Sequence, residues 1–305
     1  MTLTLTLISA LLLDYWLGEP PNCRHPLVAY GRFVRFIERH WRNGAGSPRR
    51  QKAAGSIAVL LALLPALPLV LLTPGASVVD DVCSAIVLYV CIAPRSLRQH
   101  ARAVDDALRS ADIDLARQRV AAIVSRDTGA MDADAIRRAT IETVLENGAD
   151  ALFAALFWFI IAGPFGAVLY RLSNTLDAMW GYRDERYRHF GWAAARWDDV
   201  LNGLPARLTA TSYALLGNTA QAFAAWRQQA GLLDSPNAGP VMTAGAGALG
   251  LKLGGPAIYH GQIKHKPWFG GQATPTRRDI ARACRLVNHT MVLWLLTIAV
   301  LEFWL

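Results

Sequence analysis

Charged residues leave long gaps along this chain. No Asp, Glu, Lys or Arg occurs from Ala53 to Val79, from Ala151 to Tyr170, from Leu208 to Trp226, or from Leu286 to Leu301. A bilayer core about 30 Å thick is crossed by roughly 20 apolar helical residues, so three of these runs can span and the last is borderline. Met1 to Leu17, interrupted by Asp14, and Val82 to Pro94 are weaker candidates. The opening residues have no basic leader and no clean small-residue cleavage site, which predicts a retained span and not a signal peptide. Pro65 and Pro68 predict a kink in the span from about Ala53 to Leu72. Gly163, Pro164 and Gly166 predict an interruption in the next run, whose freed backbone groups need protein or a polar cavity to receive them.

The polar segments between these runs have patterns of their own. From Val28 to Trp41, apolar and basic residues alternate at helical spacing, as in an amphipathic helix lying at a surface. Arg95 to Asp150 carries nine Arg and ten acidic residues with many opposite charges at i,i+4, which predicts a water-exposed helical hairpin. Asp132 or Asp134 would cap its second helix. Asp234 to Lys266 is glycine-rich and reads as loop, followed by a short helix from about Thr276 and a last span. Composition agrees, with 53% hydrophobic and 18% charged residues against about 25% charge in soluble chains.

The predicted fold is therefore an all-α polytopic membrane bundle, one domain over 1–305 with polar segments 18–52, 95–150, 171–207 and 227–285. Basic residues place 18–52, 95–150 and 227–285 on the cytoplasmic side. Six spans satisfy that count but put 171–207, with six Arg, on the opposite face. Four spans plus two re-entrant segments, near 151–170 and 208–226, bring all four polar segments to one face. The formal net charge of +8 belongs at membrane faces in such a protein, and no nucleic-acid partner is expected.

Several motifs carry less than their patterns suggest. The four cysteines form no C-x-x-C pair, so neither a structural zinc nor an iron–sulfur centre has support. Gly245, Gly247 and Gly250 fit G-x-G-x-x-G, but Gly254, Gly255 and Pro256 follow where the dinucleotide fold needs a helix. These glycines with Lys252 fit either a backbone nest for an anion or close helix packing.

Two clusters could carry chemistry. Glu142 and Glu146 share one helix face beside Asn147, and Asp150 completes an acid-rich turn. Such oxygens suit Mg²⁺ with nucleotide phosphates, and equally a solvated helix face. From Tyr182 to Asp199 the chain holds Arg183, Asp184, Glu185, Arg186, Tyr187, Trp192, Asp198 and Asp199. Arginine forks fit phosphate or carboxylate, aromatic rings fit a large flat ligand, and the two adjacent aspartates could hold a cation. An interfacial aromatic belt with paired charges has the same composition. His25, between Arg24 and Pro26 in a stiff loop, is a candidate for substrate contact; His260 and His265 make a weak zinc pair.

Motifs across almost the whole chain resemble one family. They include LLDYWLGEPPNCRHPLVAYGRFV, SRDT at Ser125 to Thr128, ETVLENGAD, NTLDAMWGYRDERYRHFGWAAARWDDVLNGLPARLTA, SPNAGPVMTAGAGALGLKLGGPAIYHG and KPWFG. In that order they resemble the CobD/CbiB membrane proteins of cobalamin biosynthesis, the cobinamide or adenosylcobinamide-phosphate synthases. The resemblance implies a multi-pass inner-membrane ligase with a cytoplasmic active face. It would join aminopropanol or its phosphate by an amide bond to the free propionate of a corrinoid, adenosylcobyric acid. ATP and Mg²⁺ are the expected source of activation, and other cobalamin-pathway membrane proteins are expected partners.

Side-chain chemistry then distributes the roles. Glu142, Glu146, Asp150 and Asp198 are the expected catalytic residues, and Glu146, Asp150, Asp198 and Asp199 the metal ligands. Arg126, Asp127, Arg183, Arg186 and Lys252 would meet the nucleotide. His25, Asn147, Asp184, Glu185, Tyr187, Trp192 and Asn237 would meet substrate. The chain departs from the family pattern at Glu19, usually Asp, at Gly148 and Ala149, where a Thr or Ser is usual, and at Gly245, usually Met. A relative linked to beta-lactamase regulation makes a non-catalytic sensor the main alternative, and transport a weaker one because the long apolar runs hold almost no charge.

Overall fold

The computed structural model describes all residues except 1, 22, 43–45, 183, 260 and 305. In chain order its helices are α1 (Leu3–Leu17), α2 (Pro26–Trp41), α3 (Pro48–Leu63), α4 (Val78–Cys91), α5 (Pro94–Arg109) and α6 (Ile113–Ala121). They continue as α7 (Ala133–Gly148), α8 (Ala154–Trp180), α9 (Trp192–Leu215), α10 (Thr219–Gln229), α11 (Ala238–Leu249) and α12 (Asp279–Trp304). Two compact units interleave along the chain. One comprises Met1–Ala93 and Ala154–Asn202, the other Pro94–Phe153 and Gly203–Leu305.

Helix starts in the first unit follow local chemistry. Side chains of Thr2, His25, Ser47 and Ser77 each accept an N–H of the first turn, and Pro26 and Pro48 occupy positions where a missing N–H is harmless. The apolar face of α2 does more than lie at a surface. Tyr30, Val34 and Ile37 pack with Ala58, Val59 and Ala62 of α3 and Leu172, Leu176 and Trp180 of α8 in one buried cluster. Past Leu63 the two prolines do not simply kink the helix; they tighten Leu64–Leu71 into a 3₁₀ helix. The interruption in α8 is present, with Ala162 outside helical geometry and Gly163 at φ 59°.

In the second unit, Asp132 caps α7 by accepting from Ala135 N at 2.7 Å. The predicted hairpin holds three helices, α5, α6 and α7, and α7 is mostly buried, packing on α5, α11 and α12. A π-helical turn, Ala149–Phe153, follows it. The fold is all-α apart from the glycine-rich segment, which is not wholly loop as expected. That segment forms four three-residue strands, Lys252–Gly254 (β1), Ala257–Tyr259 (β2), Gln262–Lys264 (β3) and Trp268–Gly270 (β4), with β1 antiparallel to β4 and β2 to β3. The last helix also differs, since α12 runs unbroken from Asp279 instead of forming two pieces.

Three helical stretches are long and apolar enough to cross a membrane: Pro48–Leu71, Ala133–Trp180 and Asp279–Trp304. α1, at 15 residues, is a shorter apolar helix. The run Leu208–Trp226 turns between α9 and α10 and does not cross as one helix. Leu60, Leu71, Val78, Val79, Phe303 and Trp304 are all more than two-thirds exposed, a surface that lipid and not water would cover. The chain is a multi-pass membrane protein.

The G-x-G-x-x-G run resolves as helix packing. A Cβ on Gly247 of α11 would stand 2.8 Å from Ala222 Cα of α10, and one on Gly245 would stand 2.9 Å from Leu145. Gly250 closes α11 in the left-handed region. Gly247→Leu should therefore cost about 1–3 kcal/mol through overpacking and lower the thermal midpoint in detergent. Gly203→Ala, where an added Cβ meets nothing within 4 Å, should leave the midpoint unchanged or raise it. Equal behaviour of the two variants would contradict this packing.

Candidate active site

In the second unit, the pairing of Glu142 builds the site. Its Oε2 accepts from Arg126 Nη2 at 2.5 Å and its Oε1 from Gly254 N at 2.8 Å, and the side chain is almost wholly buried. Asp127 adds a second clamp on the strand segment, accepting from Gly261 N at 2.8 Å while its own N–H donates to Ile258 O. Residues 126–127 and α7 thus hold Gly254, Ile258 and Gly261 in place. Beside Arg126 and Glu142 lies a cavity of about 260 Å³, lined by Arg126, Glu142, Glu146, Leu232, Leu233, Asp234, Ser235, Ala238, Met242, Lys264, His265, Lys266, Pro267 and Phe269. Arg126 also lines a smaller cavity of about 150 Å³ with Asp127 and Arg138.

The charges in the larger cavity are mixed. Glu146 feels Glu142 as a like charge and Lys266 and Arg126 as opposite ones. Lys264 pairs with Asp234 at 2.5 Å, and Lys266 lies over the Tyr259 ring at 5.1 Å. Three carboxylates, Glu142, Glu146 and Asp234, and three cations, Arg126, Lys264 and Lys266, line the cavity, a donor set whose chemistry suits phosphate or carboxylate oxygens. Among the described residues no three His, Cys, Asp or Glu side chains converge as a metal cage. Mg²⁺ needs no such cage, because it is held by one or two carboxylates together with substrate phosphates.

Other predicted residues of this unit lie elsewhere. Asn147 and Asp150 do not line the cavity. Lys252 sits 4.8 Å over the Trp268 ring, which Arg138 also meets at 5.2 Å, so it faces an aromatic and not the cavity. Asn237 is buried, and its Oδ1 accepts from Arg207, which also holds Pro236 O. Lys264, which ends β3, and Lys266, which lies beyond it, were not singled out by sequence.

A second acidic site lies in the first unit. Asp198, at 9% exposure, receives the Asn202 amide at 2.9 Å on Oδ2, and Asn202 Oδ1 accepts from the buried Tyr170 hydroxyl at 2.9 Å. Asp198 Oδ1 is buried without a hydrogen-bond partner. Burial first, and then the negative charge of Asp177, push the Asp198 carboxyl up to about 7. Sequence reasoning missed Asp177 and Asn202. Asn202 stands at i+4 from Asp198, and Asp177 is the one acid of α8. Gly181 admits this acid, since a Cβ there would overlap Asp177 Oδ1 at 2.0 Å.

The neighbouring candidates are held by protein groups. Asp199 pairs with Arg196 at 3.3 Å. Glu38, buried on α2, gathers Arg186 at 2.8 Å, the Tyr187 hydroxyl at 3.1 Å and Arg42 at 3.2 Å. Asp184 accepts from Tyr187 N in a turn, Lys52 lies over the Trp192 ring at 4.8 Å, and Glu185 is exposed. Arg183 and His260 lie outside the described residues. His25 caps α2, with Nδ1 accepting from Leu27 N at 3.1 Å and Nε2 3.4 Å from Glu19. Burial lowers its pKa, so near neutrality the ring is uncharged and Nε2 carries the proton toward Glu19.

The protonation of Asp198 has a consequence for stability. Its ordinary value is 3.8, and in the folded chain it ionises near 7. Between these values the folded state binds more protons than the unfolded one, so stability is full at low pH and falls as pH rises through the window. The thermal midpoint should be higher at pH 5 than at pH 8, and Asp198→Asn should shrink that difference. An Asn variant with the wild-type pH dependence would contradict the assignment.

Comparison with known proteins gives the family. The family model described as CobD/Cbib protein matches residues 7–287. Proteins described as "Cobalamin biosynthesis protein CobD" are 54% identical in Chromobacterium violaceum (96% of this chain, 95% of the relative) and 52% identical in Stutzerimonas stutzeri (98% and 97%). One from Halalkalibacterium halodurans is 35% identical (94% and 93%). No solved structure matches. Carried by a match that runs through both compact units and by relatives aligned nearly end to end, the chain belongs to the CobD/CbiB family.

Proposed function

We propose that this protein acts in cobalamin biosynthesis as the synthase that joins aminopropanol, or its phosphate ester, to the free propionate of adenosylcobyric acid. The description of the relatives as cobalamin biosynthesis proteins supports the pathway. The observation that carries the chemistry is the cavity in which Glu142 and Glu146 face Arg126, Lys264 and Lys266. Forming an amide from a carboxylate and an amine in water needs an activated carboxyl. ATP with Mg²⁺ would supply that activation, a phosphoryl group for the propionate oxygen with ADP as the leaving group and a metal ion to neutralise phosphate charge.

In this reading Arg126, Lys264 and Lys266 hold phosphate oxygens, and Glu146, less engaged than Glu142, offers its carboxylate to the cation. The amine then attacks the activated carbonyl carbon, the C–N bond forms, phosphate leaves, and the ammonium proton must go to a base. Separately, in the first unit, the Asp198 carboxyl ionises near neutrality, which supports an acid–base role for it. The cavity, about 260 Å³, is below the roughly 300–1,000 Å³ of sites for drug-sized ligands. It admits the propionate arm and phosphate, and the macrocycle stays outside it.

The family match across both units supports treating 1–305 as one functional domain. We place the protein in the inner membrane with its active face cytoplasmic, on the excess of basic residues in 18–52 and 227–285. α1 and α4, about 22 Å and about 21 Å long at 1.5 Å per residue, add to the three long spans in a bundle of four to six.

Membranes containing the protein, given adenosylcobyric acid, ATP and Mg²⁺, should yield a corrinoid whose mass rises by one condensed aminopropanol or aminopropanol phosphate. Mass spectrometry with neither gain would overturn the reading. Glu146→Gln should lower turnover by roughly 100-fold or more, and Asp198→Asn by roughly 100-fold to 10,000-fold, with both variants still inserted in the membrane. Near-normal turnover would remove that residue from the mechanism.

A further inference from the structure

A separate cavity of the second unit carries unbalanced positive charge. On α5, Arg98, Arg102 and Arg109 recur at spacings that bring them to one helical face; Arg278 stands in the turn just before α12, and Arg285 lies on α12 itself. The two helices pack together, and these five arginines line a cavity of about 410 Å³. One acid, Asp105, lines it too, and Arg109 already holds that acid at 2.7 Å. Among the described residues, the side chains of Arg98, Arg102, Arg278 and Arg285 have no ion pair or hydrogen bond. Arg282, on the same helix, is instead engaged by Asp279 and Leu249 O and does not line the cavity. Four unpaired guanidinium groups around one space repel each other, and phosphate oxygens match their planar forks.

The place of this cavity along the chain selects the source of the phosphate. Arg285 is the last charged residue before the run Leu286 to Leu301, so the arginines gather where the span leaves the hydrocarbon, at the depth of lipid headgroups. On the helical face of Arg285, at i+7, i+11 and i+18, stand Val292, Leu296 and Phe303, which are 48%, 60% and 83% exposed. A phosphate seated on Arg285 therefore leads onto an uncovered apolar stripe. We propose that this cavity binds the headgroup phosphate of an anionic phospholipid, whose acyl chains lie along that stripe of α12.

The test uses the full-length protein in mild detergent, stripped of lipid and offered phosphatidylglycerol or phosphatidylcholine, with retained lipid read by native mass spectrometry. The wild type should retain phosphatidylglycerol in clear preference. Arg98→Gln/Arg102→Gln/Arg285→Gln should bind it roughly 100-fold more weakly, and the single exposed change Arg285→Gln roughly 5-fold more weakly. Arg277→Gln, outside the cavity, should keep the preference. Equal retention of the two lipids, or an unchanged preference in Arg285→Gln, would overturn the proposal. Arginine-dependent binding of inorganic pyrophosphate that phosphatidylglycerol does not displace would assign the site to a soluble phosphate and overturn it as well.

Discussion

A carboxylate nearly cut off from solvent must find donors, and Glu142 finds one of each kind: a guanidinium on one oxygen and a backbone N–H on the other. That pair of bonds does more than satisfy a charge. Arg126 comes from the turn before α7 and Gly254 from the end of β1, so a single side chain ties the loop, the helix and the strand segment together. Gly254 adopts φ 82° and its Cβ position is taken by Pro267 O at 2.2 Å, so the approach of this N–H depends on glycine. Removing either partner would leave the other buried without compensation, which is the costly way to break a buried pair.

Asp198 meets the same constraint differently. It receives an amide from Asn202 but no cation, and its second oxygen has no donor. With Asp177 adding a like charge, holding a proton is the cheaper state, and the carboxyl ionises near neutrality. One buried acid is thus held between a guanidinium and a backbone N–H, while the other is left able to exchange a proton. The first arrangement suits a scaffold for charged ligands, the second suits acid–base work.

Much of this was legible in the sequence, and the limits have physical causes. The amphipathic helix α2, the break at Gly163 and the cap at Asp132 all follow from local rules, and all are present. The acids Glu142, Glu146 and Asp198 were also legible, because helical spacing and placement beside apolar runs mark them. Residues whose roles depend on distant partners were not. Arg186 and Tyr187 look like ligand groups until Glu38, some 150 positions away, is seen to hold both. Lys252 looks like a phosphate contact until Trp268 is found beneath it. The short strands escaped because the segment is rich in glycine and each strand has only three residues, too few for a period of two to register.

Gly148 and Gly245 belong to one packing arrangement. A Cβ on Gly148 would stand 2.5 Å from the Tyr213 hydroxyl and one on Gly245 would crowd both Leu145 and Tyr213. That hydroxyl donates to Leu145 O at 3.1 Å, at the point where α7 gives way to the π-helical turn Ala149–Phe153 and its carbonyls are least committed to the helical ladder. Leu145 is the residue before Glu146. The two glycines therefore let a buried tyrosine seal the end of the helix that presents the cavity's free carboxylate. In this chain a hydroxyl reaching in from α9 occupies the space beside that turn and bonds the carbonyl next to Glu146, which holds the Glu146 face in place.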